Sequence, residues 1–251
     1  MKMCVQDIKI LIIGVVIIIV SGCSSIKRIS GEEKTVVKKE AVKSKNVVKN
    51  NDLVERNYIK SSRIKSIDRI RFIYISRDQL SSGQRYSEQK YDSSGYLTEM
   101  DFYDKSGKED TKYTYEYNGS GQRITTIRYN AEGQEDKKYT YDYNKYGNKI
   151  KSVRYGVDGE LEKYYLYKYD SSENLIDDLW YDKSGKLEYK IVNYYNGDGK
   201  KISSKSYDGN NNLDEEIKYQ YDDKNNLVGE ERYDSSGAKT EIIQYVYKYY
   251  N

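Results

Sequence analysis

The residues that could do chemistry in this sequence are carboxylates, arginines and aromatic rings, because none of the 251 residues is histidine. The commonest general base and metal ligand is therefore missing. The neighbours Asp177 and Asp178, and likewise Glu230 and Glu231, offer paired carboxylates for acid–base hydrolysis. Neighbouring residues of a strand point to opposite faces of a sheet, so neither pair can converge on one substrate. We predict no catalytic residues and no enzymatic activity.

A calcium-loop pattern occurs at residues 208–216, where aspartate, asparagine and glutamate stand at alternate positions. Such alternation supplies oxygen ligands to Ca²⁺, but a calcium loop carries glycine at its sixth position and this one carries Leu213. The segment also coincides with a turn of the repeat described below. We therefore predict a structural turn here, with no metal site and no cofactor.

Arginine and large aromatic side chains recur in one column of the sequence, at intervals of 26 residues or multiples of it. The candidates for a binding surface are Phe102, Arg128, Arg154, Trp180 and Arg232, and Ser206 occupies the same column. If the repeats are hairpins, equivalent positions lie about 10 Å apart, two strand spacings, and form a stripe. Two interpretations remain open. The stripe covers a sheet face, or it contacts a glycan or an acidic protein, because Trp, Tyr and Arg commonly anchor interfaces.

These residues are positioned by a repeat of 26 residues that occurs six times without insertion or deletion. Its first tyrosine, the structural repeat tyrosine, is found at Tyr91, Tyr117, Tyr143, Tyr169, Tyr195 and Tyr221, and Tyr247 begins a seventh, incomplete copy. A second tyrosine follows each of the six after twelve residues. A fixed period in this range indicates an array of identical supersecondary units.

Each copy contains two turn clusters and two runs typical of strands. Asp or Asn follows most of these tyrosines and bonds to the turn backbone, and a glycine four residues after the tyrosine supplies a positive φ. Glu173, Asn211 and Asn225 replace that glycine, and asparagine tolerates the left-handed region. Between turns, tyrosines alternate with polar residues. We predict an all-β fold over residues 66–251, an elongated antiparallel β-meander of tandem hairpins that must twist, curl on itself or receive a partner.

The phrase Y-x-Y-D/N-x-x-G-x-x-I/L, at residues 115–124 and 141–150, resembles the YD repeat of Rhs and teneurin-type proteins. It is similar, more loosely, to the hairpin repeats of MORN-variant proteins. In large Rhs proteins such repeats spiral into a shell around a C-terminal toxin, and sugar binding is sometimes suggested. The resemblance covers residues 91–251 and implies a hairpin array. We do not expect a toxin domain, because the sequence ends at Asn251.

The N-terminus is typical of a lipoprotein signal peptide, which we predict over residues 1–22. An apolar run at residues 10–20 follows a lysine-containing lead and is too short to span a bilayer as a stable helix. Residues 20–23 resemble the lipobox of bacterial lipoproteins, which implies that Cys23 is acylated, with palmitate or a similar chain, after cleavage. An uncleaved signal anchor is the alternative.

Residues 23–65 are predicted to be a lipid-anchored basic tether. Residues 24–65 contain twelve Lys or Arg against five Asp or Glu, so the repeat domain that follows is net acidic. Low hydrophobicity and high charge predict a flexible spacer, and alternatively the lysines attract anionic lipid headgroups. An acidic domain outside the cytoplasm excludes nucleic acid as a partner.

Together these patterns predict a membrane-anchored, extracytoplasmic lipoprotein of the cell envelope, on the outer membrane or the cell surface. Its Tyr-rich sheet serves as a binding or structural surface for a protein or glycan. Two alternatives stay open: a carbohydrate-binding module for envelope or host glycans, and an accessory or immunity protein of a toxin system, which rests on resemblance alone.

Overall fold

The computed structural model describes residues 51–250. The predicted signal peptide, Cys23 and most of the predicted tether lie outside the described residues, so the anchoring stays a prediction. Over the range described, no helix is both long enough and apolar enough to cross a membrane.

One helix and fifteen strands make up the described residues. Helix α1 (Asn51–Ser61) is followed by the long strand β1 (Ile64–Ser76). The remaining strands are β2 (Gln79–Leu80), β3 (Gln84–Tyr91), β4 (Leu97–Tyr103), β5 (Glu109–Tyr117), β6 (Arg123–Tyr129), β7 (Glu135–Tyr143), β8 (Lys149–Tyr155), β9 (Leu161–Tyr169), β10 (Leu175–Asp182), β11 (Leu187–Tyr195), β12 (Lys201–Asp208), β13 (Leu213–Tyr221), β14 (Leu227–Asp234) and β15 (Lys239–Tyr249). Each 26-residue copy therefore supplies one hairpin.

The strands form a closed antiparallel meander. From β3 to β15 each strand pairs with the next, while β1 pairs with β3 on one side and with β15 on the other. The short strand β2 pairs with β1 alone and stands outside the ring of fourteen. The predicted all-β meander of tandem hairpins is confirmed. The sheet curls on itself, which leaves no long edge of unpaired backbone groups.

The turns follow the predicted chemistry. In the turn of Asn118 the side-chain Oδ1 accepts the backbone N–H of Ser120 at 3.0 Å and of Gln122 at 2.9 Å. The three non-glycine residues at the turn-closing position have positive φ: 61° at Glu173, 68° at Asn211 and 68° at Asn225.

The segment with the calcium-loop pattern is one of these turns. Asp208 Oδ1 accepts the backbone N–H of Asn210 at 2.9 Å and of Asn212 at 2.8 Å. Among the described residues, no three side chains of the types that ligate metals come together as a metal-binding group. The Asp208 carboxylate therefore holds the hairpin turn.

The structural repeat tyrosines fasten neighbouring strands together. Each hydroxyl from the second copy onward donates to a backbone carbonyl twenty residues earlier. The bonds are Tyr117 to Leu97 (2.9 Å), Tyr143 to Arg123 (2.7 Å), Tyr169 to Lys149 (2.7 Å), Tyr195 to Leu175 (2.9 Å), Tyr221 to Lys201 (2.9 Å) and Tyr247 to Leu227 (2.7 Å). Tyr91 differs because its buried hydroxyl has no such partner, and burial raises the pKa of this phenol.

Helix α1 corrects the predicted boundary at residue 65. Ile59 of the helix is 2% exposed and packs with Ile64, Ile67 and Tyr91 in a small apolar core. The end of the range predicted as a flexible tether is therefore part of the folded domain. A few well-placed isoleucines outweigh the polar composition of the segment, since each buried side chain contributes about 1.5–3 kcal/mol.

The helix also joins turns that are distant in sequence. Arg56 donates a 2.6 Å hydrogen bond to the hydroxyl of Tyr96, in the turn between β3 and β4. Tyr58 bonds to Asn226, in the turn between β13 and β14. Helix α1 thus lies at the end of the closed sheet that carries the first turn of each repeat.

Candidate functional site

A closed sheet has one face turned inward, and contacts across intervening strands identify it. The rings of Tyr139 on β7 and Tyr165 on β9 are 6.5 Å apart, although β8 lies between them. On a flat sheet two strand spacings are about 10 Å. Arg69 on β1 likewise reaches Glu230 on β14 at 3.4 Å, across β15. This face is therefore the concave one.

All five candidates of the predicted stripe lie on this concave face. Directly paired residues share a face of the sheet, and three of the candidates pair with inward tyrosines. The pairs are Arg128 with Tyr113, Arg154 with Tyr139 and Trp180 with Tyr165. We call Phe102, Arg128, Arg154, Trp180 and Arg232, together with Tyr113, Tyr139 and Tyr165, the inward row. The predicted surface thus faces the interior of the closed sheet.

Aromatic rings in the inward row pack edge to face. Phe102 and Tyr113 have ring centroids 5.9 Å apart, and Tyr165 and Trp180 have centroids 5.5 Å apart. Trp180 also contacts Tyr189 on the next strand at 5.0 Å. Edge-to-face rings are held in defined orientations by their quadrupoles. The row is therefore an ordered aromatic surface.

Two of the three arginines of the row, Arg128 and Arg154, are neutralised by acidic residues at β-bulges. Each bulge lies beside the second turn of a copy and inserts one extra residue, which is Asp136 opposite Arg128 and Glu162 opposite Arg154. The Arg154 Nε lies 3.0 Å from Glu162 Oε2. Hydrogen bonding to Asp136 raises the pKa of Arg128, and the same bond lowers the pKa of Asp136.

A second inward layer lies two residues before the row along the same strands. There Ser or Thr hydroxyls bond to a tyrosine hydroxyl of the neighbouring strand. The pairs are Tyr141 to Thr126 (2.7 Å), Ser152 with Tyr167 (2.9 Å) and Ser204 with Tyr219 (3.0 Å). These pairs satisfy polar groups that closure of the sheet removes from water.

Asp178 and Glu230 occupy positions in this second layer but carry carboxylates. Both carboxylates stand where three of the other copies carry Ser or Thr and the first carries Met100. Trp180 Nε1 donates to Asp178 Oδ1 at 3.0 Å, and burial raises the pKa of Asp178 to about 6 against the opposing effects of Lys149 and of this bond. Glu230 is 6% exposed and accepts a bond from Tyr245. The layer therefore varies in charge around the ring.

The paired carboxylates considered for hydrolysis do face opposite ways, as predicted. Asp178 pairs with inward Tyr167, while Asp177 pairs with Lys168 on the outer face. Glu230 and Glu231 are separated in the same manner on β14. One residue of each pair, Asp178 and Glu230, nonetheless belongs to the inward surface, which the prediction missed. The departure from Ser or Thr in that column was the signal in the sequence.

Fold and site define the class as a closed antiparallel meander with an aromatic and charged interior face. No protein-family model and no curated protein matches the chain. A porin-like protein from Bacteroides uniformis is similar with 13% identity, a TM-score of 0.42, and coverage of 74% of this chain and 97% of that one. A DUF1329 family protein from Desulfovibrio piger has 11% identity, a TM-score of 0.32, and coverage of 79% and 90%.

The Tc holotoxin pore structure from Photorhabdus luminescens has 15% identity and a TM-score of 0.31, with coverage of 66% of this chain and 10% of that chain. Likenesses at these scores carry no argument about function. The resemblance to YD and MORN-variant repeats stays a prediction.

Proposed function

We propose that this protein is a non-enzymatic, lipid-anchored binding protein of the cell envelope whose ligand lies against the inward row. The observation that supports the proposal is the position of the row. Aromatic and charged side chains from several successive hairpins face one enclosed space instead of the solvent outside. A sheet that needed only a stable core would place aliphatic side chains there.

The composition of the row favours a saccharide over a protein as the ligand. Binding sites for small molecules combine aromatic walls with a few polar groups that fix orientation. Tyr165 and Trp180 supply flat apolar surface, and the ion pair of Arg154 with Glu162 supplies donors and acceptors for hydroxyl groups. Because the concave face is enclosed, a ligand must be narrow, as a sugar chain is, to reach it.

Localisation at the envelope rests on the predicted signal peptide and on Cys23, which would hold the domain at a membrane through its acyl chains. A sugar-binding domain tethered in this way would act on glycans of the envelope or of a host surface. The accessory role in a toxin system is the weaker alternative, because no described contact favours it.

Equilibrium binding tests the proposal. The full chain, solubilised in detergent, is screened against envelope and host glycans, and each hit is titrated by calorimetry. Arg154→Gln and Trp180→Phe should each weaken binding by about tenfold or more, as expected for loss of a charged hydrogen bond or an anchoring ring. Lys151→Gln is the matched control, because Lys151 lies on the same strand and pairs on the outer face.

All three variants should still unfold in one cooperative denaturant transition, which shows that binding is compared between folded proteins. If both inward variants bind as tightly as the parent and as Lys151→Gln, the inward row is not the site and the proposal fails.

A further inference from the structure

A cavity of about 450 Å³ lies at one end of the inward face, between β1, β3, β4 and β5. Arg71, Tyr86, Phe102 and Tyr113 line it from the concave face, and the turn between β4 and β5 lines it from outside. That turn is at the opposite end of the closed sheet from helix α1. The cavity therefore connects the inward row with the turn end.

Arg71 lacks the ion pair that Arg69, Arg128, Arg154 and Arg232 form on the inward face. Arg123, which lies over Tyr115 away from this cavity, also forms none among the described residues. Neighbouring Arg69 pairs with Glu230, whereas Arg71 forms no ion pair within the described residues, and its buried Nε has no hydrogen-bond partner. Its guanidinium lies 4.9 Å from the ring centroid of Tyr86. Arg71 is half-buried and one of its N–H groups is buried without a partner, so a bound anion would supply the hydrogen bond and the counter-charge that the protein does not.

The walls of the cavity suit a sugar ring beside that anion. Tyr86, Phe102 and Tyr113 form a continuous aromatic surface with centroid separations of 5.6 and 5.9 Å. Asp110 at the mouth is free of ion pairs among the described residues and binds only the hydroxyl of Thr111, so its carboxylate can accept sugar hydroxyls. Asp104 is engaged by its own turn, where Oδ1 accepts the Ser106 N–H at 2.8 Å.

We propose that this cavity is a subsite for an acidic sugar, with the carboxylate of a uronic acid bound by Arg71 and the pyranose ring against Phe102 and Tyr86. The guanidinium fork matches a carboxylate in two parallel hydrogen bonds. The inference rests on the proposed function, because it places one end of the saccharide that lies along the inward row.

The test uses the full chain in detergent with three probes: a short oligogalacturonide, a neutral galactose oligomer of the same length and inorganic phosphate. Calorimetry should show that the oligogalacturonide binds at least about tenfold more tightly than the neutral oligomer. Arg71→Gln should remove that preference. Arg77→Gln, which removes the same charge from the exposed turn between β1 and β2, should leave it unchanged.

Arg71→Lys covers the case in which Arg71→Gln does not fold. It keeps the charge but not the fork, so it should reduce the preference for the acidic probe without abolishing it. If phosphate binds the parent as tightly as the oligogalacturonide, the cavity is a simple anion site and the sugar assignment is overturned.

The outcomes separate this inference from the proposed function. Equal binding of acidic and neutral oligomers, weakened by Trp180→Phe but not by Arg71→Gln, overturns the acidic subsite alone. If Arg71→Gln weakens binding of the acidic oligomer but Arg154→Gln and Trp180→Phe do not, the subsite is supported and the inward row is overturned as the binding site. Absence of binding by either oligomer overturns the subsite, and the glycan screen then decides the proposed function by itself.

Discussion

The indole N–H of Trp180 donates a 3.0 Å hydrogen bond to the carboxylate of Asp178, two residues earlier on the same inward-facing strand. Trp180 is the only tryptophan in the chain. The bond links the main aromatic residue of the inward row to a carboxyl group with a perturbed pKa. Tryptophan emission is therefore a direct reporter of the charge on Asp178.

Tryptophan fluorescence should titrate with a midpoint near pH 6. Burial raises the pKa of Asp178 to about 6, and the carboxylate form accepts the indole bond better than the neutral acid does. Asp178→Asn should remove the transition. A midpoint near the ordinary carboxyl value, or an unchanged transition in Asp178→Asn, would contradict this assignment.

The Asp178 carboxyl group also makes the free energy of unfolding depend on pH. Because its folded-state pKa is raised, the folded protein holds a proton that the unfolded chain releases between the ordinary value of 3.8 and about 6. The Asp178 contribution to the free energy of unfolding should therefore decrease as pH rises through that window. We would measure the free energy of unfolding by urea titration at a series of pH values. Between pH 3.8 and about 6 it should fall more steeply with pH in the parent than in Asp178→Asn.

Glu230→Gln should destabilise the fold by about 3 kcal/mol, because it leaves the largely buried Arg69 without its one ion-pair partner among the described residues. Glu230 lies 3.4 Å from Arg69 and 3.3 Å from Arg232. The neighbouring outer-face variant Glu231→Gln is the control, since its pair with Lys239 is partly exposed and worth about 0–1 kcal/mol. If both variants lose the same free energy of unfolding, Glu230 stabilises the fold no more than Glu231 does.

Gly95→Ala should cost more stability than Gly107→Ala. Both glycines have positive φ, 83° and 82°, so the backbone penalty of about 1–2 kcal/mol is shared. A Cβ at Gly107 meets open space, whereas one at Gly95 would clash with the backbone carbonyl of Arg56 in helix α1. The difference in unfolding free energy measures the docking of α1. If the two variants are equally stable, α1 does not contribute to the fold.

Cys23→Ser should release the protein from membranes into the soluble fraction. The predicted acyl chains contribute about 0.8 kcal/mol per buried methylene, and serine cannot carry the thioether-linked lipid. Fractionation of cells producing the parent and the variant measures the effect. Membrane retention of Cys23→Ser would instead support the uncleaved signal anchor.

Repeat chemistry accounts for the part of the fold that was predictable. The tyrosine spacing and the turn-closing glycines predicted the hairpins and the left-handed residues Glu173, Asn211 and Asn225. Closure was not predictable, because it depends on β1, which lies outside the repeat register, and on its pairing with β15 at the far end of the chain. Helix α1 was missed because its one buried isoleucine, Ile59, stands in a polar segment.

The residues of the site were predictable, but not the face on which they lie. Alternation assigns side chains to two faces, and only closure decides which of them is concave. The acidic residues opposite Arg128 and Arg154 recur at 26-residue spacing, as Asp136 and Glu162, and were visible in the sequence. Their pairing with the arginines depends on β-bulges, which the alternation pattern does not reveal.

Photo-crosslinking in intact cells tests the central claim most directly. A photoreactive phenylalanine analogue is placed at Tyr139, which faces inward, or at Tyr164, a half-buried tyrosine of the outer face that stacks on Tyr181. An inward binding site predicts a saccharide adduct at position 139 and none at position 164, as read by mass spectrometry. An adduct at 164 without one at 139 would contradict the account.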